Sequence, residues 1–354
     1  MDFSETDLLQ MLVTQLRNRL PDGWQVELRE QPKPGRADAV VRLLAPDGQE
    51  ALLVVEARRV LEPRDVPRVV EELSQQAHAL PGAQPIVVAP YLSPRTRGRL
   101  VIKGVNYWDA ASNIHLEMPK PVIVIGMTGA DKNPDRTPRS LQTLRGQAAA
   151  RAVRALCDLR PPYGIRELAT RCDTPAPTIS RVVDLLEREA IVERASPRGQ
   201  IVQVDWEALL RRWVQDYDFV KSNQTSSFLE PRGLPVLLEK LQRAELQYAI
   251  TGTLAADAQG AAVSAPRLAA VFVENNGTAG ETLKLRPAES GGNVLLAEPY
   301  NPVVFERTRD KDGLVYAAPS QVVADLLTGP GRGPADGEAL LKWMKESEGA
   351  WRGA

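Results

Sequence analysis

The chain opens with apolar residues at helical spacing. Between Ser4 and Pro21, they recur every three to four positions, at Leu8, Leu9, Leu12, Val13, Leu16 and Leu20. This pattern predicts an amphipathic helix. Ser4 and Asp7 form an acidic variant of a capping box at its start, and Pro21, Asp22 and Gly23 end it.

Strand and helix patterns then alternate up to residue 128. Two segments, 37–44 and 51–58, predict strands that are joined by the turn signal APDGQ. The pattern continues with a helix, a strand, a basic helix, a short strand and an apolar run, over residues 65–80, 85–91, 93–104, 105–110 and 121–127. The alternation predicts an α/β domain over residues 1–128.

Polar breaks separate this domain from two further regions. Residues 129–144 are rich in proline and polar side chains, which predicts a linker. A mostly helical segment, 145–218, follows. After a second polar break comes a mixed region, 219–354. Three folded regions suit a chain of 354 residues, since domains commonly hold roughly 100 to 200 residues.

Three helical patterns and two short strands fill residues 145–205. The helices are RGQAAARAVRALCDL, GIRELATRC and, after a tight connection, PTISRVVDLLEREAIV. The strands flank a turn at Ser196–Gly199. This order resembles the winged helix-turn-helix family. The resemblance implies a double-stranded DNA partner, and a module used only for protein contacts is the alternative.

The same resemblance implies which side chains meet DNA. The third helix would enter a major groove and offer Ala176, Thr178, Ser180 and Arg181. Arg198, at the tip of the hairpin, would reach a phosphate or the minor groove. Three arginines on or near the first helix would add positive charge: Arg145, Arg151 and Arg154. Binding of this kind weakens steeply as salt rises.

The first domain carries a pattern of acidic and basic residues on adjacent strands. Glu56 and Arg58 face the same side of a strand, because side chains two apart do so, and both can converge on Asp38. The pattern resembles the PD-(D/E)xK, or restriction-endonuclease-like, superfamily, where the acids hold a divalent metal and a lysine activates water. Glu5 is a further candidate carboxylate.

Arg58 stands where that superfamily has lysine. A guanidinium is broad and is not deprotonated, so the exchange is not conservative. Arg58 can instead form an ion pair with Asp38 or Glu56. We therefore expect a catalytically degenerate domain without a metal, which serves dimerisation or additional DNA contact.

The basic helix lies in a longer stretch, VVAPYLSPRTRGRLVIKGVNYWDAASN. This stretch resembles a segment of bacterial helix-turn-helix regulators that carry an endonuclease-like amino-terminal region. The resemblance implies that Arg95, Arg97 and Arg99 line a surface facing DNA phosphates. Simple exposure to solvent is the alternative.

The region 219–354 resembles the carboxy-terminal part of AbiEi-type antitoxins, which is related to the nucleotidyltransferase fold. Gly252 and Thr253 match the turn that precedes the catalytic strand in that fold. The strand itself has Ala270–Val273 where two carboxylates are required, and Glu274 alone cannot replace them. Transferase activity is therefore not expected. The segment GPGRG, 329–333, is interpreted as a break between two helices.

Composition narrows the remaining classes. The net charge is -1, which argues against indiscriminate coating of nucleic acid. Two cysteines and two histidines predict neither a disulfide framework nor a zinc cluster, and both thiols are expected in or near the core. The apolar runs are too short to span a bilayer, so a cytoplasmic protein with no membrane partner is expected.

Together these patterns predict a multidomain α/β protein with a central winged helix and an AbiEi-type, nucleotidyltransferase-like last domain. We expect a sequence-specific DNA-binding transcription regulator that is not an enzyme and needs no cofactor. A homodimer would present two recognition helices to a palindromic site. A toxin or a signal molecule is a further candidate partner. The alternatives are an autorepressing antitoxin of a type IV toxin–antitoxin system and a metal-dependent DNA nuclease.

Overall fold

The fold of the chain is mixed α/β and contains two compact units. A computed structural model describes residues 3–30, 37–134, 143–261, 263 and 265–353. The first unit holds the described residues up to 134 together with 188–190, and the second holds those at 143–187 and from 191 onward. Half of the predicted linker lies outside the described residues, at 135–142. In the described part, no helix has both the length and the apolar content needed to cross a bilayer.

The first unit is built on a seven-stranded sheet whose strands follow chain order. These are β1 Gln25–Glu30, β2 Ala39–Leu44, β3 Glu50–Ala57, β4 Gln84–Ala89, β5 Asn106–Asp109, β6 Ile114–Pro119 and β7 Val122–Met127. Strands β3, β4 and β5 are parallel to one another, and the other neighbouring pairs are antiparallel. The sequence analysis missed β1 and β6.

Helices cover both faces of this sheet. They are α1 Glu5–Arg19, α2 Val66–His78 and α3 Pro94–Ile102. Leu53 and Val55 of β3 pack in one core with α1, whereas Val54 between them packs in a second core with α2 and α3. This alternation follows from the two-residue period of a strand. The capping box is confirmed: the Asp7 amide donates to Ser4 Oγ, and the Ser4 amide donates to Asp7 Oδ2.

The second unit begins with three helices and a two-stranded antiparallel sheet. Their bounds are α4 Gln147–Asp158, α5 Ile165–Arg171, α6 Ala176–Arg188, β8 Val192–Arg194 and β9 Ile201–Val204. Each element lies where the sequence predicted a helix or a strand. Ile179, Val183 and Leu186 of α6 are fully buried, as their helical spacing implied.

The rest of the second unit surrounds another seven-stranded sheet, with strand order β13-β10-β14-β12-β11-β16-β15. The elements are α7 Trp206–Trp213, α8 Phe219–Ser222, β10 Gln224–Leu229, α9 Leu234–Arg243, β11 Tyr248–Thr251, α10 Gly252–Ala258, β12 Ala269–Val273, α11 Asn276–Thr282, β13 Arg286–Pro287, β14 Val294–Glu298, a 3-10 helix Pro302–Phe305, β15 Arg309–Lys311, β16 Leu314–Tyr316, α12 Pro319–Leu327, α13 Gly333–Glu346 and α14 Glu348–Trp351. The GPGRG segment separates α12 from α13, as predicted.

The aromatic side chains of the helix α7 region belong to the core. Trp206 packs edge-on against Trp351 with ring centroids 5.0 Å apart, and Trp213 stacks on Tyr217 at the same distance. All four are buried. They therefore stabilise the second unit by packing and are not free to stack on bases.

Candidate active site and nucleic-acid interface

Two carboxylates lie beside each other where β2 begins and β3 ends. The pairing of β2 with β3 ends with Ala39 opposite Val55, and Asp38 and Glu56 are the next residues along the two strands. The Asp38 amide donates to the Val55 carbonyl at 3.1 Å, and Asp38 Oδ2 accepts from the Ala57 amide at 2.7 Å. The partners in these two bonds, Val55 and Ala57, are the chain neighbours of Glu56, so the bonds fix Asp38 beside Glu56.

The environment of Glu56 disfavours its charged form. Only 13% of the side chain is exposed. Burial raises the pKa of Glu56 to about 7, and the negative charge of Asp38 adds to the increase. Arg58 opposes it with Nη2 at 2.5 Å from Glu56 Oε1. Glu56 can therefore exchange a proton near neutral pH, and a nearby cation would stabilise its charged form.

Arg58 completes an ion cluster on this face. Its amide donates to the Val88 carbonyl of β4 at 2.8 Å, which fixes the backbone beside the central strands. Besides Glu56, its Nη2 lies 3.9 Å from Glu72 Oε2 on α2. Of the two partners that the sequence left open, Glu56 is the ion-pair partner in the structure.

Glu72 was missed by the sequence analysis. It comes from α2, which packs on the face of β3 that bears Glu56, and its charge contributes to the raised pKa of Glu56. Glu5, the further carboxylate that the sequence suggested, is exposed at the start of α1. Its charge makes the smallest of the named contributions to the pKa of Glu56. Nothing in the local sequence around Glu72 marks it, because the contact depends on how α2 crosses the sheet.

The free oxygens of the acid pair suit a magnesium ion. Neither Asp38 Oδ1 nor Glu56 Oε2 has a hydrogen-bond partner among the residues that the structure describes. Those residues contain no group of three or more histidine, cysteine, aspartate or glutamate side chains that could hold a metal. Mg²⁺ commonly binds through one or two carboxylates and keeps several waters, so two acids satisfy its requirements, whereas they do not form a zinc cage.

The candidate DNA-contact residues on α6 and the hairpin are accessible. Arg181 is exposed and makes only local bonds, to the Pro177 carbonyl at 3.3 Å and to Thr178 Oγ1 at 3.4 Å. Ala176, Thr178 and Ser180 are half-buried at the amino-terminal part of α6. Arg198 is exposed in the turn between β8 and β9.

The three arginines predicted on or near the first helix have different environments. Arg145 is largely exposed, with Nε at 3.7 Å from Asp216 Oδ1. Arg151 is half-buried, and its Nη1 donates to the carbonyl of Asp173 at 3.0 Å. Both retain surface that a phosphate can reach.

Arg154 must be removed from the predicted DNA contacts. It is 0% exposed in the core of the second unit. Its guanidinium donates to Asp158 at 3.1 Å, to Ser320 at 3.0 Å and to backbone carbonyls of Val303 and Glu306. All its charge is used inside the protein, so its place in a run of basic residues was a misleading reason to expect a DNA contact.

The prediction for the basic helix α3 also needs correction. Arg97 is 7% exposed, and it donates to Asn113 Oδ1 at 2.5 Å and to Asp131 Oδ1 at 2.6 Å. Arg99 is half-buried and donates to the Pro63 carbonyl at 3.1 Å. The three arginines of this helix do not line one open surface, because Arg97 is bound inside the unit.

Gly252 and Thr253, which the sequence analysis matched to a turn, are the first two residues of α10. Gly252 adopts a positive φ of 68° at the start of α10, and Thr253 Oγ1 donates to Asp336 Oδ2 at 2.8 Å. The five residues of β12 are buried, and Glu274 beyond them is exposed. The chain thus has no carboxylate on β12 itself.

The two cysteines are free and buried, as the sequence predicted. Burial raises the pKa of the Cys157 thiol far above its ordinary value and that of Cys172 to about 11. Both are poor nucleophiles in the folded protein, since the thiolate is the reactive form.

Comparisons with known proteins give a partial likeness. No protein-family model and no curated protein matches the chain. Two solved structures are similar over 31% of it: EndoMS in its apo form, with 18% identity and a TM-score of 0.22, and a repair endonuclease from Pyrococcus abyssi, with 22% identity and a TM-score of 0.20. The chain spans 47% of each. We withdraw the expectation that this chain is not an enzyme.

Proposed function

We propose that the first unit is a metal-dependent nuclease domain that acts on DNA, in which Asp38 and Glu56 hold a divalent cation. One observation carries the proposal: Asp38 is fixed beside Glu56, and burial together with the charge of Asp38 raises the pKa of Glu56 to about 7. A bound cation would favour the charged form of Glu56 and would therefore oppose the effects of burial and of Asp38 on this pKa. Fixed carboxylates with such a conflict are a common mark of a functional site.

Each residue of the cluster then has a defined role. When bound, Mg²⁺ polarises a phosphate and lowers the pKa of a water molecule. Asp38 is held for binding by the Ala57 amide. Glu56 Oε1 is paired with Arg58, so Oε2 is the oxygen that would be available to a cation. Arg58 does not act as a base, because a guanidinium keeps its proton, but it can bind a phosphate oxygen.

The test uses the full chain with supercoiled and single-stranded DNA, with Mg²⁺ or Mn²⁺ and with a chelator. Wild-type protein is expected to nick DNA only with metal. Glu56→Gln and Asp38→Asn are expected to lower the rate by about 100-fold or more, because each removes a charged metal ligand. Glu71→Gln, which changes an exposed acid of α2, is the matched control.

Metal binding gives a second readout that does not need the correct DNA substrate. Titration with Mn²⁺, followed by electron paramagnetic resonance, is expected to show one site in wild-type protein and in Glu71→Gln, and none in Glu56→Gln. Equal binding by all three proteins, or cleavage that persists without Glu56, would refute the assignment.

A second function is favoured by the surface of α6 and the hairpin. We propose that residues 145–218 bind double-stranded DNA as a winged helix-turn-helix module, and that the chain regulates transcription, as a homodimer on a palindromic site. The supporting observation is that Arg181 and Arg198 are both exposed, one on α6 and one in the β8–β9 turn. Side chains in these positions can reach base edges and phosphates.

Mapping of bound genomic sites, followed by anisotropy titrations at several salt concentrations, tests this second function. A discrete sequence motif near promoters is expected, with an affinity that falls steeply as salt rises. Arg181→Ala should weaken specific binding more than nonspecific binding, and Arg151→Ala should weaken both equally. Arg286→Ala, which changes an exposed arginine of β13, is the control. A flat salt response contradicts the proposal.

A further inference from the structure

A cavity of about 670 Å³ lies in the second unit. Its floor is formed where β11 meets α10, at Thr251, Gly252 and Thr253. Apolar side chains line it on several sides: Phe219, Leu268, Ala270, Leu295 and Leu326. The segment 329–333, between α12 and α13, forms part of its lining. The volume is in the range of ordinary small-molecule sites, roughly 300 to 1,000 Å³.

The polar groups of the floor are already satisfied by the protein. Asp325 accepts from Thr251 Oγ1 at 2.5 Å, from the Tyr217 hydroxyl at 2.6 Å and from Gln321 Nε2 at 2.8 Å. Thr253 donates to Asp336. These carboxylates are therefore occupied with internal donors, and they do not require a cation or a ligand from the cavity.

Two arginines of the lining are in the opposite situation. Arg267 and Arg332 are exposed, and both line the cavity. Within the described part of the chain, neither guanidinium has an ion pair or a side-chain hydrogen bond. Helix α13 begins beside Arg332, and its amino-terminal end adds a partial positive charge. The cavity therefore combines an apolar interior with two guanidinium groups.

Two glycines allow the segment 329–333 to pack closely against the end of α12. A Cβ added at Gly333 would lie 2.8 Å from the Leu326 carbonyl oxygen, and one at Gly329 would lie 2.7 Å from that of Asp325. Larger residues at these positions would force the segment away from the end of α12. The close packing therefore fixes the backbone on both sides of Arg332 beside the cavity.

We propose that this cavity binds a small organic anion. The apolar body of the ligand lies against Phe219, Leu268 and Leu295, and its carboxylate or phosphate group is held by Arg267 and Arg332. An inorganic ion would leave the apolar side chains of the cavity in contact with water. A neutral apolar compound would give the two guanidinium groups no anionic partner. The site lies within the second unit and is independent of the proposed nuclease centre.

The probes are 1-naphthyl phosphate and 1-naphthoate, with 1-naphthol and inorganic phosphate as controls that lack the charge or the apolar body. Calorimetric titration of the full chain, without DNA or metal, is expected to give one site per chain for at least one aromatic anion. We expect its affinity to exceed that of each control by about tenfold or more, since a charge-assisted contact and apolar burial each contribute on that scale. The stronger of the two anions identifies the preferred acidic group.

Variants locate the site. Arg267→Ala and Arg332→Ala are each expected to weaken the aromatic anion by about tenfold, and Leu268→Trp is expected to prevent binding by filling the cavity. Arg286→Ala should bind as wild type, and thermal unfolding checks that each variant is folded. Equal affinity for 1-naphthol and the aromatic anions would overturn the proposal. Unchanged affinity in both arginine variants would do so even if Leu268→Trp failed to fold.

Discussion

Replacing Glu56 by glutamine should stabilise the first unit, and the gain should grow with pH. The pKa of Glu56 is raised from 4.5 to about 7 by burial and by Asp38. The folded state therefore holds a proton more tightly than the unfolded state, so stability falls as pH rises from 4.5 toward 7 and beyond. Glutamine is neutral at all pH values and avoids this loss.

The expected size follows from the shift. At about 1.4 kcal/mol for each pKa unit, the penalty on wild-type protein reaches about 3 kcal/mol at pH 8 and is about 1 kcal/mol at pH 5. Glu56 is 13% exposed, so solvent screening reduces this figure only slightly. This figure already includes the loss of the charged contact between Glu56 and Arg58, because that contact lowers the pKa of Glu56 from which the figure is calculated.

Native-state hydrogen exchange of β2 and β3 is the appropriate assay, because the chain has two compact units and a single melting curve would mix them. The difference in opening free energy between Glu56→Gln and wild type is measured in chelator at pH 5 and pH 8. Glu71→Gln, at an exposed position, controls for the loss of one negative charge. A difference that is zero or independent of pH would refute the electrostatic account of Glu56.

Three further predictions concern the second unit. Arg154→Met should destabilise it by about 3 to 5 kcal/mol, measured by native-state hydrogen exchange of α4, because Asp158 loses a buried partner, whereas Arg145→Met at the surface should change little; equal effects would contradict the burial argument. Cys157 and Cys172 should not react with a thiol reagent at pH 8 until the protein is denatured, and rapid reaction of folded protein would contradict their burial. Gly280→Ala should destabilise the second unit by about 1 to 3 kcal/mol, because the added Cβ lies 2.7 Å from Phe228 Cε1, while Gly277→Ala in the same helix should not; native-state hydrogen exchange of β10 and β14 distinguishes them.

The sequence predicted those elements whose pattern is local. The capping box of α1 and the helical spacing of α6 depend on residues a few positions apart, and both agree with the structure. Strands β1 and β6 were missed because they lie between stronger signals and carry few apolar residues. In β6, only Ile114, Leu116 and Met118 are buried, while the residues between them are at least partly exposed.

Side-chain environment was harder to predict than secondary structure. Arg154 and Arg97 were expected on surfaces because each lies in a run of basic residues. In the structure, each is bound by acceptors that are distant along the chain: Arg154 by Ser320, and Arg97 by Asp131. A charge run specifies composition but not which side of a helix packs inward, so the burial of individual arginines depends on tertiary contacts that the local pattern does not contain.

The arginine at the lysine position has a physical explanation in the charges around it. The negative charges of Asp38 and Glu72 raise the pKa of Glu56, and the positive charge of Arg58 lowers it. Arg58 Nη2 lies near both Glu56 Oε1 and Glu72 Oε2, so its positive charge acts on both carboxylates. The cluster still has more negative than positive groups, so Arg58 leaves an attraction for a divalent cation. Arginine at this position is therefore compatible with a metal site. Because a guanidinium keeps its proton, Glu56 and not the basic residue is the group that can transfer a proton.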